Sequence, residues 1–123
     1  MGDVSDATPL DGEILMIATA KGSVGPRVGT LVDAVQAHLE PRIDDYRRRH
    51  EAVHESDGRV VFFAKPGHWE RVGERLGLDD REIDAVRRAH AEQLRRIGRR
   101  EGRESEFETA LEIREPVVVG VSG

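Results

Sequence analysis

Apolar residues recur at helical spacing through most of this chain and collapse into short unbroken runs at a few places. Within residues 67–76, Trp69, Val72 and Leu76 fall three and four apart on one helix face, with Glu70, Arg71, Glu74 and Arg75 elsewhere. Gly77 predicts the stop, because a left-handed residue is favoured there, and Leu78 is expected to fold back over the last turn. Asp79 with Glu82 three residues on reads as a capping box for a second helix. Ile83, Val86, His90, Leu94 and Ile97 then recur at three, four, four and three. A helix over 80–98 is about 28 Å long at ~1.5 Å per residue, with Gly98 and Gly102 weakening its end. Residues 67–100 are therefore expected to form a helix-turn-helix pair, with Trp69 buried against Ile83 and Val86.

The same period runs through Val28, Leu31, Val32, Val35 and Leu39. Pro41 breaks it, since proline inside a helix costs about 3 kcal/mol. A kink or a fresh helix is expected there, with Ile43, Tyr46, His50 and Val53 continuing the stripe up to a turn at 56–58. Residues 104–114 place Phe107, Ala110, Leu111 and Arg114 in helical register. Residues 59–64, RVVFFA, are β-branched and aromatic and close on Lys65-Pro66-Gly67, and 117–121 follow Pro116. Both read as strands, and pairing them makes a small sheet beside the helices. The apolar run at 13–20, EILMIATA, is read as helix, with a buried strand as its rival. The glycine-punctuated stretch at 22–30 is read as a loop. No Lys precedes Thr30, and its glycines fit neither phosphate-binding fingerprint.

The expected fold is mostly α with a minor β element: a small helical bundle with the helix-turn-helix pair at 67–100 and one or two short strands. Residues 1–10 read as a disordered acidic tail and 11–123 as a single helical domain. A chain of 123 residues supports one modest core. The absence of cysteine excludes disulfides, thiolate zinc sites and cysteine nucleophiles. No apolar run approaches the roughly 18 residues of a membrane span, and the N-terminus lacks a signal pattern. The expected location is cytoplasmic, with no membrane partner.

Charged residues make up 35% of the chain, and all 19 of its Lys and Arg are Arg except Lys21 and Lys65. That usage suits a GC-rich genome or a salt-adapted cytoplasm. The net charge is −5, but the acids crowd the ends and the middle is positive. Neutralisation within the molecule explains that arrangement better than a shielded nucleic-acid face.

Three candidates for chemistry follow. Residues 50–54 read His50-Glu51-Ala52-Val53-His54, the HExxH pattern. On a helix, histidines four apart can both hold zinc while Glu51 acts as general base on a bound water. Against it stand Arg47, Arg48 and Arg49, which oppose a cation, and the missing third histidine of the longer signature. No cofactor is the first expectation, with zinc at His50 and His54 as the alternative. Second, Arg87, Arg88, Arg95, Arg96, Arg99 and Arg100 form a basic face for nucleic acid or a protein partner. A recognition helix uses its N-terminal end on bases, and here that end is Asp79, Asp80, Glu82 and Asp84. Third, His90 in the apolar stripe is expected to be a packed neutral imidazole with one ring nitrogen bonded.

The segments HAEQLRRIGRR and EFETALEIREPVVVG resemble small proteins of unassigned activity from salt-loving archaea, over the C-terminal half. That resemblance implies a genuine fold and carries over no site. The preferred function class is a non-enzymatic interaction or regulatory module, with a protein partner or a homo-oligomer. The alternatives are a helix-turn-helix nucleic-acid binder and a small zinc hydrolase.

Overall fold

The computed structural model describes residues 10–12, 14, 27–56 and 58–121. The expected helix at 13–20, most of the loop at 22–30 and the tail before residue 10 lie outside the described residues. Leu10 itself is buried in the core.

Helix α1 is Val28–Leu39 and buries Val28, Leu31, Val32, Val35 and Leu39, the face its periodicity predicts, together with Gln36. Pro41 sits in a 3-10 turn, Glu40–Arg42, where its missing N–H leaves no bond unmade. A fresh helix, α2, follows over Ile43–Arg49. It is shorter than expected. His50 is already extended, and strand β1 occupies Glu51–Ser56. Strand β2 is Arg59–Ala64, as its composition predicts. Ser56 pairs with Arg59 across a two-residue turn containing Gly58 at φ 91°. The Asp57-Gly58 dipeptide is a hairpin signal in the sequence, and the pairing of β1 with β2 ends the helical stripe before it.

Helix α3 is His68–Leu76 and α4 is Asp80–Glu101. Gly77 is left-handed, and Leu78 donates its N–H to the carbonyl of Gly73 at 2.9 Å. Asp79 and Glu82 form the reciprocal capping box. The long helix does not fray at Gly98. A Cβ there would meet Phe107 Cδ2 at 2.9 Å, so Gly98 is the notch that admits the ring of α5, Glu104–Leu111. The chain ends in β3, Glu115–Gly120.

The sheet is three-stranded and antiparallel in the order β1-β2-β3. Strands β2 and β3 are almost wholly buried, while β1 is half-exposed. Helix α4 packs against β3, α5, α3 and α1 and is the centre of the molecule. Trp69 is 2% exposed, and its ring stands 4.6 Å from that of His90 on α4. The fold is thus mostly α with a small sheet. Among the described residues no helix is long and apolar enough to cross a membrane.

Candidate ligand-binding site

The HExxH residues do not share a helix face. His50 closes α2, its N–H bonded to the Tyr46 carbonyl at 2.9 Å and its ring 5.0 Å from the Tyr46 ring. Glu51 and His54 lie on β1, which bulges between Ala52 and His54. His54 turns instead to Glu101 at the end of α4, Nδ1 to Oε2 at 2.8 Å. Four extended residues span about 13 Å at ~3.3 Å each, against roughly 6 Å for i,i+4 neighbours on a helix. The helical placement of the motif is overturned, and the hairpin is the reason. Among the described residues, no group of three or more His, Asp or Glu is arranged to hold a metal.

The arginine face of α4 is largely neutralised at home. Arg87 and Arg88 both reach Asp84. Arg95 bridges Glu92 and, from α5, Glu108. Arg96 and Arg100 both approach Asp11. Arg99 is exposed. Exposed pairs of this kind contribute about 0–1 kcal/mol each, but together they remove the bare positive face a nucleic-acid reader needs. Ten residues of α4 are buried, so its core-facing side is not free to enter a groove.

The buried polar residues have a different task. Among the described residues no strand lies beside the outer edge of β3, yet its backbone groups are bonded. Trp69 Nε1 donates to the Pro116 carbonyl at 3.0 Å. His90 Nδ1 accepts from the Val118 N–H at 2.9 Å. Gln36 donates to the Val118 carbonyl at 2.7 Å and accepts from the Gly120 N–H at 3.0 Å. Three side chains therefore supply bonds along this edge, which buried backbone requires. Since His90 Nδ1 accepts, its proton is assigned to Nε2, which has no acceptor. Burial, then the charge of His68, hold His90 down to about 3. This is the packed neutral imidazole its position in the stripe predicts.

A second polar group was not foreseen. Tyr46 on α2 and His68 at the start of α3 meet hydroxyl to Nε2 at 2.6 Å. Both are buried, and His68 Nδ1 has no partner among the described residues. Burial chiefly pushes Tyr46 up to about 12 and His68 down to about 3. The His50 ring stands 6.3 Å from that of His68, and the Trp69 ring 4.6 Å away on the other side. His50 and His38 are each held below the usual imidazole range, first by burial and then by nearby arginines. Those cations are Arg42, Arg71 and Arg75, with Lys65 and Arg49 beside His50. Gly67, at φ 95°, lets the chain enter α3, and a Cβ there would lie 3.0 Å from Arg71 Nη1. Arg71 thus folds back over the helix start. Across the fold, Glu115 receives the N–H groups of Gly67 and Trp69, fixing the same helix end. Nothing local in the sequence joins Tyr46 to His68; only the packing of α2 on α3 does.

Residues 8–121 match the family model described as a domain of unknown function, DUF8048. The chain belongs to the DUF8048 family. The match covers nearly all of the domain and is not confined to the C-terminal half. No match is found among curated proteins or among solved structures. In this chain the domain is built of helices and a three-stranded sheet, with the polar edge cap and the Tyr46–His68 pair buried inside.

Proposed function

We propose that this DUF8048 domain is a non-enzymatic binding module, and that its contact surface is the cationic face formed by α2 and α3. One observation supports it above the rest. The charges of Arg42, Arg71 and Arg75 bear on Tyr46 and those of Arg71 and Lys65 on His50, and among the described residues none of these four cations makes an ion pair. The α4 arginines, by contrast, are mostly paired. Surface charge of one sign raises the local potential and draws ligands of the opposite sign. The groups that resemble catalytic ones favour the same reading. His90 is spent on the β3 edge, Tyr46 and His68 on each other, and His54 on Glu101.

The test is crosslinking and affinity capture with the full chain and with Arg71→Glu/Arg75→Glu. The expected result is a partner or ligand retained by the native protein and lost from the variant. Stoichiometric zinc with hydrolytic activity lost in Glu51→Gln overturns the reading.

A further inference from the structure

One face of α4 runs beneath two depressions of about 410 and 310 Å³, the size of small binding pockets. Asp80, Ile83, Asp84 and Arg87 line the first, and Arg87, Ala91 and Arg95 the second. Their spacings of three and four put them on one face, about 22 Å long at ~1.5 Å per residue. The depressions share Arg87 and Glu115 as a wall. Their charges differ. The first adds Glu70 and Glu74 from α3, with Trp69, Leu78 and Ile83 as its apolar lining. The second adds Arg114, with Pro66, Leu111, Ile113 and Pro116. Arg87 is held by Asp84, and Arg95 by Glu92 and Glu108. Among the described residues, Glu70, Glu74, Asp80 and Arg114 make no ion pair.

The helix dipole favours acids at the start of α4 and bases towards its end. That accounts for the α4 residues alone. Glu70, Glu74 and Arg114 come from other elements and extend the same division of charge. Ile113 adds a second observation. It is 62% exposed, and no other large hydrophobic side chain among the described residues is so exposed. The turn that carries it is tied down, since the N–H groups of Ile113 and Arg114 both donate to the Ala110 carbonyl, at 3.0 and 2.8 Å. An apolar side chain on a fixed turn loses little freedom when it is seated in a partner. A face with an acidic end and a basic end fits itself when turned around. In a two-fold contact residue i meets j and j meets i. With the axis near the shared wall, the Arg114 turn of each copy lies over the Glu70–Glu74 end of the other, and Ile113 meets the apolar lining there. A nucleic acid would instead meet carboxylates at one end, and a cationic peptide would meet arginines at the other.

We infer that this face of α4 is the contact between two copies of the chain, in which the Ile113 turn of each copy docks into the acidic depression of the other. The inference goes beyond the binding-module reading and concerns a different surface, because Arg71 and Arg75 line neither depression.

Sedimentation velocity of the full chain across the micromolar range is the test. A species of twice 13.7 kDa is expected. Ile113→Asp, Arg114→Glu and Glu70→Arg/Glu74→Arg should each weaken dimerisation at least tenfold. All four side chains are exposed, and circular dichroism reports whether each variant is folded. Mixed in equal amounts, the Arg114→Glu chain and the Glu70→Arg/Glu74→Arg chain are expected to form a heterodimer as tight as the native dimer, because each end again meets its opposite. Should the Glu70→Arg/Glu74→Arg chain unfold, Ile113→Asp decides alone. A native chain that stays monomeric, a dimer untouched by Ile113→Asp, or two folded variants that remain monomers when mixed overturns the inference. Arg71→Glu/Arg75→Glu should leave the dimer intact, and its loss there would move the contact to α2 and α3. A partner captured through those two arginines bears on the binding-module reading alone.

Discussion

The imidazole of His90 accepts the backbone N–H of Val118 at 2.9 Å, so a helix side chain bonds the outer edge of the sheet. Gln36 and Trp69 complete the bonding along the same edge. The opposite edge, β1, is protected differently. It bulges, carries Glu51 and Glu55, and gives the Val53 carbonyl to Arg103 at 2.7 Å.

Replacing Gln36 by Leu keeps the volume and removes two bonds. The Val118 carbonyl and the Gly120 N–H are then buried without partners, at roughly 1–3 kcal/mol each. A loss of about 2–5 kcal/mol in urea unfolding is expected. Arg88→Ala on the solvated side of α4 should stay within about 0.5 kcal/mol. Equal effects from the two would sink the edge-cap account.

Stability should fall as the solution is acidified below the ordinary imidazole range. His68 and His90 stay neutral in the folded protein down to about 3, whereas in the unfolded chain they take up protons near the ordinary imidazole value of 6.5. Between those limits the unfolded state binds more protons, so stability rises with pH and is complete above the unfolded value. The slope approaches about 1.4 kcal/mol per pH unit for each imidazole. Denaturation midpoints at several pH values measure it, and NMR should find neither ring titrating between pH 8 and 5. A His90 that titrates near its unperturbed value contradicts its burial.

Gly98→Ala places opposing effects against each other. Alanine favours a helix interior over glycine by about 1 kcal/mol. The new methyl would sit 2.9 Å from Phe107 Cδ2, and overpacking costs about 1–3 kcal/mol. Net destabilisation is expected because the neighbour is a buried ring with little room to move. A more stable variant would mean that α5 shifts freely.

His50 and His54 should behave as strangers to each other. They touch different partners, Tyr46 and Glu101. In a double-mutant cycle His50→Ala and His54→Ala are expected to add to within about 0.5 kcal/mol, with or without zinc. A coupling that appears only when zinc is present would restore the shared site that the HExxH pattern suggests.

Much of the fold was legible along the chain because its signals are local. The α1 stripe, the Asp79–Glu82 cap, the Trp69 face and the RVVFFA strand each depend on residues within a few positions of one another. Strand β1 was misread for an instructive reason. His50 and Val53 continue the helical period by coincidence, while the Asp-Gly turn that decides the matter lies just beyond them. Along the chain Gly98 reads only as a helix weakener, because the approach of Phe107 that gives it a purpose is tertiary.

The buried polar pairs and the ion pairs were decided by tertiary contact. Tyr46 meets His68 across 22 residues, and His90 meets Val118 across 28. Whether an arginine is bare or neutralised depends on which carboxylate the fold brings to it, as Asp11 comes to Arg96 while Arg71 receives none among the described residues. Periodicity states which way a side chain faces along its own element. It contains no information about what faces back, and hydrogen bonding, ion pairing and burial all belong to that second group.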